Sequence, residues 1–271
     1  MFVPDEDATY VIRSGVQALE RLELIARLLR PTTIDLLDQV DLGPSASFLD
    51  VGCGIGDVAA IMAGRSSGHV LGIDINPGVV EGAAQRAQRL GAGAQYRVAG
   101  LQDLGTNDLT GFDAVYARAV LTHLPDPSAA LTSMLEATAP GGFVLVEDVD
   151  LSALWSAPPC RALDEHRDLY LAAAEAIGAS PRAASELGAR LAAVGAVDVR
   201  VDMVQPVLRA PEDLAVHART MEAIAEPVVR HGLATMDEVD RIVNELDAWA
   251  RAEGTVGAMP RIVQVSGRKP G

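Results

Sequence analysis

The chain has 271 residues, of which 49% are hydrophobic and 22% charged, the composition of a globular protein with a substantial core. No apolar run approaches the roughly 18 residues that a membrane span needs, and a formal net charge of −15 disfavours a nucleic-acid partner. An acidic N-terminus, where a secretory signal would be basic and then apolar, and only two cysteines lead us to expect a cytoplasmic protein that acts on small molecules.

The first 45 residues are predicted to form a helical cap. Apolar residues recur at three- and four-residue steps over residues 10–30, which predicts one amphipathic helix that ends at Pro31. A second short helix is predicted over residues 34–42. An exposed first helix could pair two copies of the chain as a homodimer.

Strands and helices alternate through residues 46–150. Short apolar runs predict strands at residues 47–51, 69–74, 95–98, 112–117 and 143–149. One of the intervening helices is expected to begin at the Asn76 cap, with Pro77 in its first turn. Such alternation predicts a parallel sheet with helices on both faces.

The pattern changes after Asp150. Two prolines introduce a predicted helix over residues 161–177 with no strand directly after it, so we interpret residues 151–182 as a helical lid inserted after the fifth strand. Residues 183–271 are expected to complete the core. Their predicted elements are a helix at 183–194, a strand at 198–204, helices within 211–252 with a capping box at Thr235 and Glu238, and a closing strand at 261–266.

A glycine-rich segment, residues 50–56 (DVGCGIG), lies between the first predicted strand and the next helix. Its glycines let the backbone turn tightly and leave no Cβ to obstruct a ligand, as in many nucleotide-binding folds. A dinucleotide fingerprint would place its third glycine where this chain has Asp57, and Asp50 ends the preceding strand. These two carboxylates disfavour a pyrophosphate and would attract a ligand with a positive pole, such as S-adenosylmethionine.

Asp74 lies at the end of the second predicted strand, 24 residues after Asp50. A carboxylate at this point can accept hydrogen bonds from both hydroxyls of a ribose, which supports an adenosine-containing ligand. The alternative is a favourable charge at the N-terminus of the next helix, beside the Asn76 cap.

Four segments together resemble the successive motifs of the class I S-adenosylmethionine-dependent methyltransferases: residues 48–57, 70–77, 112–123 and 139–147. The resemblance implies an α/β, Rossmann-like fold with a seven-stranded, mainly parallel sheet whose last strand is antiparallel. It implies S-adenosylmethionine as cofactor and S-adenosylhomocysteine as product. The positions it implies are Asp50, Gly52 and Gly54 at the amino-acid end, Asp74 at the ribose and Ile75 at the adenine, and we add Ala117 at the end of the fourth strand.

The loop after the third strand departs from the family pattern, because the family often has an aspartate beside the adenine where this chain reads AGLQ at residues 99–102. The backbone of Gly100 and Leu101, or the amide of Gln102, could bind the adenine instead, and Gln102 could equally be a solvent-facing residue. Tyr10, at the start of the first helix, could cover the cofactor, with core packing as the alternative.

The segment after the fourth strand, residues 117–123 (ARAVLTH), lacks the Asn/Asp-Pro-Pro-aromatic motif of methyltransferases that act on adenine or amide nitrogen. It looks more like methyltransferases of quinones and secondary metabolites. The resemblance therefore implies methyl transfer to an O, N or C nucleophile of a small molecule. An S-adenosylmethionine-binding enzyme with a non-methylating step such as cyclisation, or an inactive regulatory module, are the alternatives.

His123 is our first candidate for a catalytic base, because it follows the fourth strand at the edge where ligands bind in open parallel sheets. Capping of that turn is the alternative. Asp148 and Asp150, at the end of the fifth strand, are expected to face one side and Glu147 the other, which makes the two aspartates substrate-facing candidates, with a solvated loop as the alternative for at least one acid.

His166 and Tyr170 are four residues apart on the inserted helix and so share one face, which could meet the substrate or simply pack the lid. His217 and His231 are expected at the surface. No histidine or cysteine cluster accompanies the aspartates, so we predict no metal site.

Overall fold

The computed structural model describes residues 16–106 and 108–271, with side chains from residue 19 onward. Its strands are β1 (Phe48–Val51), β2 (Val70–Asp74), β3 (Gln95–Val98), β4 (Phe112–Arg118), β5 (Thr138–Asp150), β6 (Ser156–Ala157), β7 (Val197–Val204), β8 (Val207–Leu208), β9 (Val256–Ala258) and β10 (Arg261–Arg268). Its helices are α1 (Val16–Asp38), α2 (Asp57–Ala63), α3 (Pro77–Leu90), α4 (Pro127–Ala137), α5 (Arg161–Ala176), α6 (Leu187–Ala193), α7 (Pro211–Leu214), α8 (Val216–Ala223), α9 (Ala225–Arg230) and α10 (Met236–Arg251).

A seven-stranded sheet has the order β3-β2-β1-β4-β5-β10-β7. Neighbours from β3 to β5 pair in parallel, whereas β10 is antiparallel to both β5 and β7. The predicted fold class, a Rossmann-like and mainly parallel sheet whose last strand is antiparallel, is confirmed. A small second sheet, β6-β9-β8, was not predicted, because strands of two or three residues leave almost no pattern in a sequence.

Alternation along β4 shows how the sheet is covered on both faces. Ala114 and Tyr116 belong to a buried cluster with α2 and the end of α1, whereas Val115 and Ala117 belong to a second cluster with α4 and α6. Successive side chains of a strand point to opposite faces, so each face of this central strand needs its own helical layer. Because the middle of β4 is buried on both faces, only the carboxyl end of this strand can face a ligand.

The first helix does not end at Pro31, and this prediction is wrong. One continuous α1 runs to Asp38 and includes residues 34–38 of the segment predicted as a second helix, whereas residues 39–42 are not helical. A proline inside a helix removes one hydrogen bond and crowds the preceding turn. Burial on both sides of it compensates, since Leu29 packs in a helical cluster and Leu36 packs against the sheet, each only 1% exposed.

Helices α5, α8, α9 and α10, which follow β5 in the chain, pack against one another. Helix α5 contacts α8, α9 and α10, and their buried residues form one cluster with the first half of α1. The sequence predicted α5 within one residue, whereas the predicted helix at 183–194 begins as a 3₁₀ turn, Ala183–Glu186. The boundaries of cap, core and lid at residues 45, 150 and 182 stay predictions.

The predicted caps of two helices are confirmed. The Asn76 side chain accepts from the backbone N–H groups of Gly78 and Val79, and Thr235 and Glu238 form a reciprocal capping box. No helix within residues 16–106 and 108–271 combines the length and apolar character that crossing a membrane requires.

Candidate cofactor and acceptor site

The glycine loop turns sharply between β1 and α2. Gly52 and Gly54 both have positive φ, +66° and +53°. A Cβ on Gly52 would lie 2.6 Å from Cγ2 of Val120, whereas a Cβ on Gly54 would have no neighbour within 4 Å. The loop thus packs closely against the segment after β4 at one glycine and faces open space at the other, where a ligand can approach the backbone.

Asp74 closes one side of this loop. Its Oδ2 accepts from the backbone N–H of Gly54 at 3.2 Å, and its Oδ1 accepts from the N–H of Asn76 at 3.0 Å. A carboxylate has about four acceptor positions, so two remain for a ligand. Ile75, the next residue, is 68% exposed. An acceptor for hydroxyls and an apolar surface therefore lie side by side at the end of β2.

Asp50 lies below the loop and is 2% exposed. Its Oδ2 accepts from the backbone N–H of Ala59 at 3.0 Å, which joins β1 to α2. Burial raises its pKa to about 7, while the Arg118 guanidinium acts in the opposite direction. Asp50 therefore changes its charge near neutral pH, where a nearby cation would favour the ionised form.

Asp57 does not offer its charge to a ligand, contrary to the interpretation of the sequence. Three guanidiniums surround its buried carboxylate, from Arg30 at 3.4 Å, Arg118 at 3.8 Å and Arg86 at 3.9 Å. These arginines come from α1, α3 and the end of β4, so nothing near Asp57 in the sequence announces them. The acid neutralises a basic cluster, and Asp50 and Asp74 remain the acids of the loop.

After β3, a 3₁₀ turn (Leu101–Asp103) holds the loop that was expected near an adenine. Gly100 is buried and its N–H donates to Asp103 Oδ2 at 2.9 Å, so this N–H is already used. Leu101 is half-buried and Gln102 is exposed. Asp103 was not predicted to act here; its signal in the sequence is an acid three residues after a glycine at a strand end.

Asp148 was expected to face the substrate, but the structure places it elsewhere. It is fully buried, and its carboxylate accepts from the N–H groups of Leu121 and Thr122 at 2.8 and 3.1 Å and from the Thr122 hydroxyl at 2.5 Å. Burial raises its pKa. Asp148 therefore positions the turn that follows β4, which also contains Ala119 at φ +52°, a value that only a constrained alanine adopts.

Asp150 is likewise occupied by neighbours rather than directed at open space. Its Oδ1 accepts from the N–H and the hydroxyl of Ser152, and its Oδ2 lies 3.5 Å from Arg261. Glu147 points to the opposite face, as predicted, where it accepts from Thr33 at 2.5 Å, from Gln264 at 2.7 Å and from Tyr116. Asp150 and Glu147 thus both bind neighbouring side chains of the protein.

His123 lies in the turn after β4 and is 9% exposed. Burial, with a smaller effect of the Arg21 charge, lowers its pKa to about 4, so the imidazole is neutral near pH 7. Arg21 itself is 4% exposed on α1 and was not singled out in the sequence. Ala117, at the end of β4, is fully buried.

His166 and Tyr170 share one buried face of α5, at 2% and 5% exposure. His217 was expected at the surface, but α8 carries it inward to 2% exposure, with its ring centroid 6.1 Å from that of His166. His231 is exposed as expected. Tyr10, which was predicted to cover the cofactor, lies outside the described residues. In the described part of the chain, no three His, Cys, Asp or Glu residues are arranged to hold a metal ion.

A family model described as a methyltransferase domain matches residues 42–187. The chain belongs to this family. The matched range contains the glycine loop, Asp74 and the turn after β4. The match therefore covers the edge of the sheet where these residues lie. It agrees with the resemblance to class I methyltransferases.

Curated relatives match over the same region. Phosphoethanolamine N-methyltransferase 1 of Arabidopsis thaliana is 33% identical over 117 residues, which are 43% of this chain and 24% of that protein. The ubiquinone biosynthesis O-methyltransferase of Xylella fastidiosa (strain M23) is 30% identical over 122 residues, 45% of this chain and 49% of that protein. The match spans less than half of each relative.

Among solved structures, phosphoethanolamine N-methyltransferase 2 of Haemonchus contortus in complex with phosphomonomethylethanolamine and S-adenosylhomocysteine has a TM-score of 0.58 and 18% identity. The alignment covers 89% of this chain and 53% of that one. At this identity the likeness concerns the fold.

Proposed function

We propose that this chain binds S-adenosylmethionine at the carboxyl ends of β1 and β2 and transfers its methyl group to a small-molecule acceptor. The observation that carries the proposal is the contact between Gly54 and Asp74, which sets an acceptor for ribose hydroxyls beside an unobstructed glycine. The membership in a methyltransferase family and the relatives' names support the same activity.

The residues present fit the cofactor on structural grounds. Asp74 has acceptor capacity left after its two backbone bonds, and Ile75 offers exposed apolar surface for an adenine. Asp50 supplies a carboxyl that ionises near neutral pH beneath the same loop, where it favours an ammonium group. Gly54 leaves the backbone free for close approach of the cofactor, while Gly52 lets the loop pack against Val120.

When bound, the sulfonium supplies an activated methyl group: the S–CH₃ bond breaks as the bond to the acceptor forms, the electron pair returns to sulfur, and the acceptor releases a proton. The protein's part is alignment, which can provide most of the rate enhancement. We expect the turn Leu121–His123, which Asp148 fixes, to line the site, because the neighbouring Val120 packs against Gly52 of the glycine loop.

Calorimetric titration with S-adenosylmethionine and S-adenosylhomocysteine tests the proposal. The substitution Asp74→Ala should weaken binding by about 1.5–3 kcal/mol, the range for hydrogen bonds to a charged group. Glu81→Gln, which removes an exposed acid on the neighbouring α3, should leave the affinity unchanged. Absence of binding to the unaltered chain would refute the proposal.

The acceptor is proposed to be a small molecule such as a quinone precursor or a secondary metabolite. The relatives' names include an O-methyltransferase of ubiquinone biosynthesis and N-methyltransferases of phosphoethanolamine, so both acceptor types belong in the assay. Formation of S-adenosylhomocysteine separates methyl transfer from a non-methylating reaction. A cytoplasmic setting and a homodimer through the first helix stay predictions, tested by cell fractionation and by light scattering.

A further inference from the structure

Four ring side chains from α5, α8 and α10 form a buried cluster, which we call the ring cluster: His166, Tyr170, His217 and Trp249. The centroid of the His217 ring lies 6.1 Å from His166 and 6.1 Å from Trp249, and His166 lies 6.5 Å from Tyr170. All four are at most 8% exposed. The ring cluster thus combines the rings of Tyr170 and Trp249 with two imidazoles, whose nitrogens are strongly polar.

The polar atoms of these imidazoles are incompletely paired. Neither Nδ1 nor Nε2 of His166 has a hydrogen-bond partner among the described residues, and the same holds for Nε2 of His217. Buried polar atoms in native proteins almost always have a partner, because leaving one unsatisfied destabilises the fold. Three such nitrogens on two neighbouring rings indicate that a polar group from outside the described residues belongs between them.

The hydrogen bond of His217 defines what that group must provide. Its Nδ1–H donates to the backbone oxygen of Ala258, which leaves a lone pair at Nε2. Burial lowers the pKa of His217 to about 4 and that of His166 to about 3, so both rings are neutral at physiological pH. His217 therefore needs a donor, while neutral His166 has one N–H to donate. A hydroxyl both donates and accepts through one oxygen.

Two observations connect the surroundings of the ring cluster with the turn after β4. The charge of Arg21 contributes to the lowered pKa of both His123 and His166, so Arg21 is within electrostatic range of the turn after β4 and of α5. Four residues after the end of α5, the N–H of Ser180 donates to the backbone oxygen of Thr122, which belongs to that turn. An ammonium group has donors only and therefore cannot accept from the N–H of His166, which disfavours it as the bound group.

We propose that His166 and His217 bind the hydroxyl group of a phenolic methyl acceptor, with Tyr170 and Trp249 packing against its ring. The proposal rests on the proposed function, since it names the acceptor class of that same site. Edge-to-face contacts between aromatic rings suit a planar acceptor in such surroundings. The hydroxyl donates to Nε2 of His217 and accepts from the N–H of His166.

Nitrogen NMR of the imidazoles in the protein saturated with S-adenosylhomocysteine provides the test, with phenol as probe and anisole as its matched control. Anisole has the same ring and lacks the O–H donor. Phenol should shift the His217 Nε2 and His166 resonances, while those of exposed His231 stay unchanged, and anisole should bind at least fivefold more weakly. Equal shifts with anisole, shifts with ethanolamine, or no shift with phenol would each overturn the proposal.

Two substitutions of His217 separate its nitrogens. His217→Asn retains a donor near the position of Nδ1 and lacks the Nε2 acceptor, so phenol affinity should fall about tenfold. His217→Gln retains an acceptor near Nε2 and should keep most of the affinity. The reverse order, or equal affinities, would overturn the proposal. Affinity for S-adenosylhomocysteine, measured on the same samples, reports separately on the proposed function.

Discussion

The hydroxyl of Thr122 donates to Oδ1 of Asp148 across 2.5 Å, so the end of β5 fixes the turn that follows β4. Asp148 also accepts from two backbone N–H groups of the same turn. Asp148, which was predicted to face the substrate, thus holds the turn after β4 from within the core.

We expect Asp148→Asn to lower the free energy of unfolding by about 3 kcal/mol, because the amide leaves a buried backbone donor without an acceptor. Thr122→Val should lower it by about 1 kcal/mol, and the double variant by less than the sum. Urea unfolding measures these values. Asp150→Asn, at a partly exposed acid two residues on, is the control; equal effects at 148 and 150 would contradict the assignment.

Gly54→Ala and Gly91→Ala form a matched pair. Both glycines have positive φ, +53° and +66°, and at both a Cβ has no neighbour within 4 Å. Each substitution should therefore lower stability by a similar amount, about 1–2 kcal/mol from backbone strain. Only Gly54→Ala should weaken S-adenosylmethionine binding, by tenfold or more in calorimetry, because its methyl group enters the ligand space. Similar losses of affinity in both variants would show that strain alone acts.

Binding of S-adenosylmethionine should weaken as the pH falls below about 7. The folded-state pKa of Asp50 lies well above its ordinary value of 3.8, so this acid favours folding most below 3.8, and that contribution is lost as the pH rises through 7. A bound ammonium reverses the preference and releases the proton. Calorimetry from pH 8 to 5.5 should show a loss of up to tenfold per pH unit, absent in Asp50→Asn. A flat profile in the unaltered chain would contradict this.

Acid should destabilise the protein through its buried histidines. The pKa values of His123, His166 and His217 lie near 4, 3 and 4, below the ordinary 6.5. Such lowered values give stability that is present above 6.5 and lost as the pH falls towards 4, about 1.4 kcal/mol per pH unit for each histidine. The raised pKa values of Asp50 and Asp148 act in the opposite sense, so single variants are needed.

Urea unfolding between pH 6.5 and 4.5 measures this slope. His166→Phe should reduce it by about 1.4 kcal/mol per pH unit, because that ring no longer gains a proton on unfolding. His231→Gln, at an exposed histidine, should leave the slope unaltered. Parallel profiles for all three proteins would show that His166 is not buried in its neutral form.

Features that depend on a few neighbouring residues were predictable from the sequence. The glycine loop, the Asn76 cap and the capping box at Thr235 act over three or four residues and appear as expected. The roles of Asp57 and His217 were not predictable, because each depends on partners brought from far along the chain: Arg118 for the first, His166 for the second. Long-range packing decided these cases, as it did at Pro31.

An unbroken α1 connects the surroundings of the ring cluster with the end of β4. The charge of Arg21 acts on His166 in the ring cluster. Thr33 forms hydrogen bonds with both Glu147 and Arg118. Both residues lie on α1, which continues through Pro31. We therefore expect a displacement that a ligand causes at one end of α1 to reach its other end. By thermodynamic linkage, such an effect acts equally in both directions. Cofactor and acceptor should each alter the affinity of the other, so that an acceptor measured without cofactor would show a different dissociation constant.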